Sequence, residues 1–192
     1  DLDRITAELD HTLPAGAEVA LGGDLYSQNI PGLTLTEAVG LIIALLVLIV
    51  TFRSFVVAGL PLLTALLGVG LSMALIFFAT AFAPISATTP LLALMLGLAV
   101  GIDYALFIVN RQRHLILREG LSAAEAAGRA LGTAGSAVAF AGLIVVIALG
   151  GLTLIGISFL TTMALVAAAT VLLAVLIALT LLPSLLGIVG ER

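Results

Sequence analysis

Two long stretches without any charged residue constrain this chain more than any other feature of its sequence. Residues 54–102 and residues 130–190 contain no Asp, Glu, Lys or Arg. Each stretch exceeds the roughly 20 apolar residues that a helix needs to cross a bilayer. Hydrophobic residues make up 62% of the 192 residues and charged residues only 9%, against about 25% charged in soluble domains. A soluble globular domain is therefore excluded.

The charge-free stretches and their breaks predict an all-α membrane protein with a bundle of five transmembrane helices. Arg53-Ser54 is a minimal turn after the first span. Pro90 suits the first turn of the third span, where its missing N–H costs nothing, and Pro183 suits a stop after the last span. Within a bundle over residues 33–190, the predicted spans are 33–52, 55–79, 90–109, 137–152 and 158–182.

The segment between the third and fourth spans is polar. We expect a loop and a helix over residues 110–136, with the loop occupying most of residues 111–129. Ser122 and Glu125 have the spacing of a capping box, which predicts a helix from about residue 123 to 134. We interpret this helix as a connector that feeds the fourth span.

Residues 1–32 differ from the rest of the chain because they hold six acids and one arginine. Ile5, Leu9 and Leu13 recur every four residues, which favours a short amphipathic helix. Residues 18–21 have the composition of a strand. Too little chain is present to bury a core, so we expect the end of a larger α/β domain, and the whole chain to be a piece of something longer or a processed product.

The arginines predict which way the chain crosses the membrane. With five spans, six of the seven arginines fall on one side and only Arg4 falls on the other. Positively charged loops stay in the cytoplasm. We therefore expect an extracytoplasmic N-terminus and a cytoplasmic C-terminus.

Asp103 is the residue most unlike its surroundings, since it interrupts the third span. It lies eight residues before Arg111, which is about 12 Å along a helix axis. An ionised Asp at the centre of a transmembrane helix costs about 2.5–3.5 kcal/mol, and such residues commonly mark proton or ion paths. We interpret Asp103 as a proton-carrying carboxyl; the alternative is a structural Asp satisfied by neighbouring hydroxyl or carbonyl groups.

Tyr104 follows Asp103 but occupies another helical face, together with Gly97, Gly101 and Ile108. The two glycines form a small-xxx-small pattern that lets a second helix approach closely. Tyr104 is either a hydrogen-bond donor to a carboxylate or an aromatic packing residue. Asn110 shares the face of Asp103 and is an accessory to proton transfer or a cap of the helix end; of these, we favour the cap.

We expect the remaining polar residues to have ordinary structural roles. The sequence also argues against an enzymatic function. We expect Arg111, Arg113 and Arg118 to anchor the membrane interface and His114 to be inert there. There is no cysteine, no nucleophile–base pair and no phosphate-binding glycine loop before a helix. We therefore expect no metal, no cofactor, no catalytic residue and no nucleic-acid partner.

The run from Gly97 to Arg113, GLAVGIDYALFIVNRQR, resembles the signature of MMPL-type transporters of the resistance–nodulation–division (RND) superfamily. Phe52-Arg53-Ser54, the run from Gly120 to Ala130, Ala137–Phe140 and Leu181–Pro183 are also similar to that family. The resemblance covers nearly the whole chain from about residue 14.

The resemblance implies a fold and a function. Family members have two homologous halves of six spans, each with an extracytoplasmic porter domain after its first span. The chain would then supply the second to sixth spans of the first half, and residues 1–32 the end of its porter domain. Asp103 and Tyr104 would relay protons with a similar pair in the absent second half or a partner subunit, and the proton-motive force would export lipids or other hydrophobic molecules across the bacterial inner membrane.

Two positions depart from the family pattern, and one other function class stays open. Ala141 and Ile144 occupy positions where members often carry Ser and Thr, so hydroxyl groups from the fourth span are missing there. The alternative function is that of an RND-like bundle that senses a lipid, or assists protein translocation, without export of its own.

Overall fold

The computed structural model describes residues 35–82, 85–86 and 88–189, and within them the chain is a bundle of long helices without strands. Five helices are long and apolar enough to cross a membrane, one of them the continuous stretch Ala123–Ile155. The predicted all-α five-helix membrane bundle is confirmed. The predicted α/β remnant over residues 1–32 lies outside the described residues. The helices are α1 (Leu35–Phe52), α2 (Phe55–Ala79), α3 (Thr88–Glu119), α4 (Ala123–Ala130), α5 (Ser136–Gly151) and α6 (Ser158–Val189).

Short, well-capped connections join the helices at one end of the bundle. Arg53 takes a left-handed backbone conformation (φ 51°) and ends α1, and the Ser54 hydroxyl accepts the N–H of Val57 at the start of α2. The Ser122 hydroxyl likewise accepts the N–H of Glu125 and caps α4. A π-helical turn, Leu131–Gly135, continues α4 directly into α5. The minimal turn and the N-cap predicted from sequence are thus present.

Two helices extend beyond their predicted ends. α3 continues to Glu119, so residues 111–119 are helical where we expected a loop. The reason is packing, because the buried Leu115 of this extension forms a small apolar cluster with Ala126 and Ala130 of α4.

Pro183 also fails to stop its helix, since α6 runs through it to Val189. In a bilayer no water can replace lost helical hydrogen bonds, so a transmembrane helix tolerates a proline rather than ending there. Leu182 and Leu186 on either side are buried in the core of the bundle, which holds this last part of α6 in place.

α3 is the central helix of the bundle, and it packs against α2, α4 and α6. α6 also contacts α2 and α5, whereas α1 packs along α2. The shared core is built from Ala, Val, Ile and Leu, with Ala105, Ile108 and Val109 of α3 at its centre. Much of the surface of α1 and α5 is apolar and exposed, as lipid or another membrane helix requires.

The glycines of α3 bring its backbone close to two neighbouring helices. A Cβ atom at Gly97 would lie 3.0 Å from Val69 of α2 and 3.0 Å from Thr170 of α6. A Cβ atom at Gly101 would lie 3.1 Å from the Cβ and 3.2 Å from the Cα of Ala65. Because the second of these neighbours is backbone, it has no rotamer with which to move away. A larger residue at Gly101 would therefore require α2 and α3 to move apart by a few tenths of an ångström.

We therefore expect Gly101→Ala to lower the free energy of unfolding by about 1–3 kcal/mol, the usual cost of overpacking. Thermal unfolding of the full-length protein in detergent measures the loss. Gly59→Ala in α2 is the matched control, because a Cβ atom there meets nothing within 4 Å. Equal stability of the two variants would contradict the close contact described here.

Candidate functional site

Asp103 lies near the middle of α3, on a side of the helix that no other described helix covers. Its side chain is exposed, while Gly101 and Ala105 on the packed face are buried. Among residues 35–82, 85–86 and 88–189, no hydrogen bond or ion pair engages its carboxylate. The Asp103 carboxyl group thus lies on the exposed side of a membrane-spanning helix and has no partner among the described residues.

Tyr104 points elsewhere, toward α5. The ring atom Cε2 lies 3.6 Å from the position of a Cβ atom at Gly142, and that same Cβ position would overlap the Val175 side chain of α6. The missing Cβ atom at Gly142 therefore permits close packing of α5 on Val175 of α6, while the Tyr104 ring lies at an ordinary van der Waals distance from this position. Tyr104 is half-buried, and within the described residues it forms no hydrogen bond with Asp103.

Asn110 does not cap a helix end, because α3 continues through it for more than two further turns. The preferred sequence interpretation of Asn110 is therefore wrong. At 3.6 residues per turn, Asp103, Asn110 and His114 lie along one side of α3, and all three are exposed. The structure thus aligns the intramembrane carboxyl with two polar side chains nearer the arginine-rich end of the bundle.

An open groove of about 430 Å³ follows this polar side of α3 toward the arginine-rich end. Phe107 is the lining residue closest to Asp103 along the helix, one turn away. The Arg111 Nε donates to the Thr133 hydroxyl at 3.3 Å across the groove. The other residues that line the groove are Asn110, His114, Ala134 and Ala137.

The corner between α3 and α4 depends on Gln112, which sequence reasoning missed. Gln112 is only 3% exposed, and its Nε2 donates to the carbonyl oxygen of Ala123 at 3.1 Å. A glutamine between two arginines gives no signal of burial in the sequence, because its burial depends on the packing of α3 on α4. Gln112 is a structural residue that holds this corner together.

The arginines near the corner between α3 and α4 differ in the groups that they contact. The Arg129 guanidinium donates to Glu125 at 2.9 Å and lies 3.6 Å from the Glu119 carboxylate. The Arg113 guanidinium lies over the ring of Phe52, 5.2 Å from its centroid. In the part of the chain that the structure describes, no group of three or more His, Asp or Glu side chains is placed to hold a metal ion.

A sequence model of the MMPL family matches residues 1–192 of this chain. The chain belongs to the MMPL family. Membrane protein YdfJ of Bacillus subtilis is 46% identical over the whole chain, which covers 25% of that relative. The mycolic acid-containing lipids exporter MmpL11 of Mycolicibacterium smegmatis is 35% identical, with 90% of the chain and 18% of the relative aligned.

A third relative is also named as a transporter. The trehalose monomycolate exporter MmpL3 of Mycobacterium tuberculosis is 32% identical over 81% of this chain and 16% of its own length. The MMPL chain therefore spans about a quarter or less of the curated relatives it matches. The expected membership of the RND superfamily and the multi-pass membrane character are confirmed.

Two positions of α5 in this MMPL chain offer no hydroxyl group near Tyr104. Ala141 adjoins Gly142, which faces the Tyr104 ring, and Ile144 is 53% exposed. Phe140 is also exposed, at 68%. Phe140 and Ile144 are each two residues from Gly142, about 160° around α5, so they face away from the Tyr104 ring.

We expect Gln112→Glu to lower the free energy of unfolding by about 1–3 kcal/mol, since it places an acceptor against the Ala123 carbonyl oxygen in a buried position. Chemical or thermal unfolding of the full-length protein measures the change. Asn110→Asp makes the same amide-to-acid replacement at an exposed position of α3, and we expect it to cost less. Equal losses would show that Gln112 does not hold the corner.

Proposed function

We propose that this chain is part of a proton-driven exporter of lipids or other hydrophobic molecules, with Asp103 as the carboxyl that carries the proton. The observation that carries the proposal is that Asp103, at the middle of a transmembrane helix, is exposed and has no partner among the described residues. An ionised carboxylate facing lipid is costly, and such residues normally face a protein surface or water. The uncovered side of α3 is thus the side where a second protein surface belongs.

That second surface is the other half of a two-halved transporter, or a partner subunit. The chain covers about a quarter or less of its curated relatives, which leaves room in proteins of their length for a further bundle. A second half supplies the polar partner that Asp103 lacks among the described residues. Tyr104 acts from the adjacent face as a hydroxyl donor in the same relay.

The open groove supports a route for the proton on the arginine-rich side. Asn110 and Phe107 line the groove on the side of α3 that carries Asp103. Water in the groove approaches Asp103 to within about one helical turn, and Asn110 is an accessory that orients this water. Gly97 and Gly101 fix the rotation of α3 and so aim Asp103 at the partner surface.

We also infer the orientation of the chain from its arginines. Arg111, Arg113 and Arg129 contact Thr133, Phe52 and Glu119, so they gather at one end of the bundle. Arginine-rich ends remain cytoplasmic. This orientation places residues 1–32 outside the bacterial inner membrane, as the end of a porter domain, and the C-terminus inside.

The test is Asp103→Asn in the full-length transporter, which keeps the shape of the side chain but removes its titration. We expect export to fall to the background of a strain lacking the protein, with membrane insertion unchanged. Tyr104→Phe, which removes only the hydroxyl group, is expected to reduce export. Transport of a labelled lipid across inverted vesicles that carry a proton gradient measures both.

Glu119→Gln is the matched control on the same helix. Glu119 lies beyond the apolar part of α3, and its ion pair with Arg129 is solvent-exposed, so its loss costs little. We expect export to be retained. Full export by Asp103→Asn would refute the proton relay and favour a lipid-sensing bundle, in which lipid binding alters stability without dependence on the proton gradient.

A further inference from the structure

A second cavity at the arginine-rich end lies between the end of α1 and the outer part of α3. It has a volume of about 290 Å³. We call it the basic cleft, and its lining residues are Thr51, Phe52, Asn110, Arg113, His114, Leu117 and Arg118. Two guanidinium groups, an imidazole and an amide thus border one cavity, and none of its lining residues is acidic. The cleft is chemically suited to an anion.

The arginines of the basic cleft are not neutralised by the acids nearby. Glu119 and Glu125 both pair with Arg129, which does not line the cleft. Over residues 35–82, 85–86 and 88–189, neither Arg113 nor Arg118 forms an ion pair. Arg129 therefore has two carboxylate partners, whereas Arg113 and Arg118 have none among the described residues.

Arg113 is also held in position before any ligand arrives. Its guanidinium group lies 5.2 Å from the centroid of the Phe52 ring, and that ring is 2% exposed and fixed in the core. A stacked guanidinium keeps its N–H groups free at its edge, and their fork geometry matches the oxygens of a phosphate. Less side-chain freedom is then lost on binding.

The surroundings of the cleft select the kind of phosphate. It lies where α1 ends and the charge-free part of α3 gives way to arginines, which is the level of lipid headgroups. Val47 and Val50 of α1 are exposed, at 59% and 77%, within two turns of the cleft residue Phe52. Acyl chains that follow this apolar surface lead a phosphodiester group directly to the arginines. A free phosphate gains no such contact.

We propose that the basic cleft binds the phosphodiester headgroup of an anionic phospholipid, of the phosphatidylglycerol or cardiolipin type. Basic pockets between transmembrane helices are known to recognise such headgroups. The ligand bridges the ends of α1 and α3 on the cytoplasmic side in the orientation inferred above. The site shares Asn110 and His114 with the groove but does not include Asp103, so Arg113 and Arg118 can be replaced without changing the carboxyl group of the proposed relay.

The experiment measures lipid binding to the full-length protein in neutral detergent. Phosphatidylglycerol and phosphatidylcholine are titrated separately, with bound lipid counted by native mass spectrometry and the Tm recorded in parallel. We expect phosphatidylglycerol to bind and raise the Tm, and phosphatidylcholine to do neither. Arg113→Gln combined with Arg118→Gln should weaken phosphatidylglycerol binding about tenfold or more, since each lost charged hydrogen bond contributes at least that factor.

Arg129→Gln is the matched control, because it removes an arginine of the same corner that is already paired with carboxylates. It should bind phosphatidylglycerol like the unmodified protein. An unchanged affinity of the double variant, or an equal loss in Arg129→Gln, would overturn the proposal. Inorganic phosphate is tested as a separate ligand, and a comparable Tm increase from phosphate alone would overturn the assignment to a lipid.

A folding defect is separated from a binding defect by the lipid-free protein. If the double variant has the Tm of the unmodified protein without lipid but loses the increase with phosphatidylglycerol, the proposal is supported. If its Tm is already lowered without lipid, Arg113→Lys combined with Arg118→Lys replaces it. That variant keeps both charges but loses the fork geometry, and we expect weaker binding than in the unmodified protein; equal binding would contradict recognition by the guanidinium groups.

Discussion

The close contact of α3 with α2 and α6 is the interaction on which the arrangement of this bundle depends. Lipid tails are as apolar as leucine, so transmembrane helices associate through packing rather than through removal of apolar surface from water. Gly97 and Gly101 allow that packing, because added Cβ atoms would meet α2 and α6 at 3.0–3.2 Å. This contact fixes the rotation of α3, and every other side chain of the helix is then directed by the 3.6-residue repeat.

The fixed rotation separates two neighbouring residues onto different surfaces. Asp103 lies more than a third of a turn from the glycine face and is exposed, whereas Tyr104 is half-buried beside Gly142 of α5. The described residues therefore leave this carboxyl group without a hydrogen-bond or ion-pair partner. The proposed partnership with a second half follows from this arrangement, since a burial cost of about 2.5–3.5 kcal/mol favours a polar partner over lipid.

Much of the fold could be predicted from the sequence because the decisive signals are local. The predicted span 55–79 coincides with α2, and the Ser122 cap forms as its spacing indicates. The errors arose where tertiary packing or the bilayer overrides a local signal. The extension of α3 to Glu119 is stabilised by burial of Leu115 and Gln112 against α4, and α6 passes Pro183 because water cannot replace helical hydrogen bonds in lipid.

In the candidate site, too, some features are predictable from local sequence signals and others depend on tertiary packing. Asp103 stands out in the sequence because a charge in an apolar span is costly wherever it points, but its direction depends on how α3 is packed. Six of the seven arginines are alike in sequence, because the same topological rule predicts all six on one side of the membrane. Only the folded corner gives Arg129 two carboxylate partners, whereas Arg113 is stacked on Phe52 and has no carboxylate partner among the described residues. The proposed phospholipid site depends on this difference between the arginines, which is why the basic cleft was not predictable from charge alone.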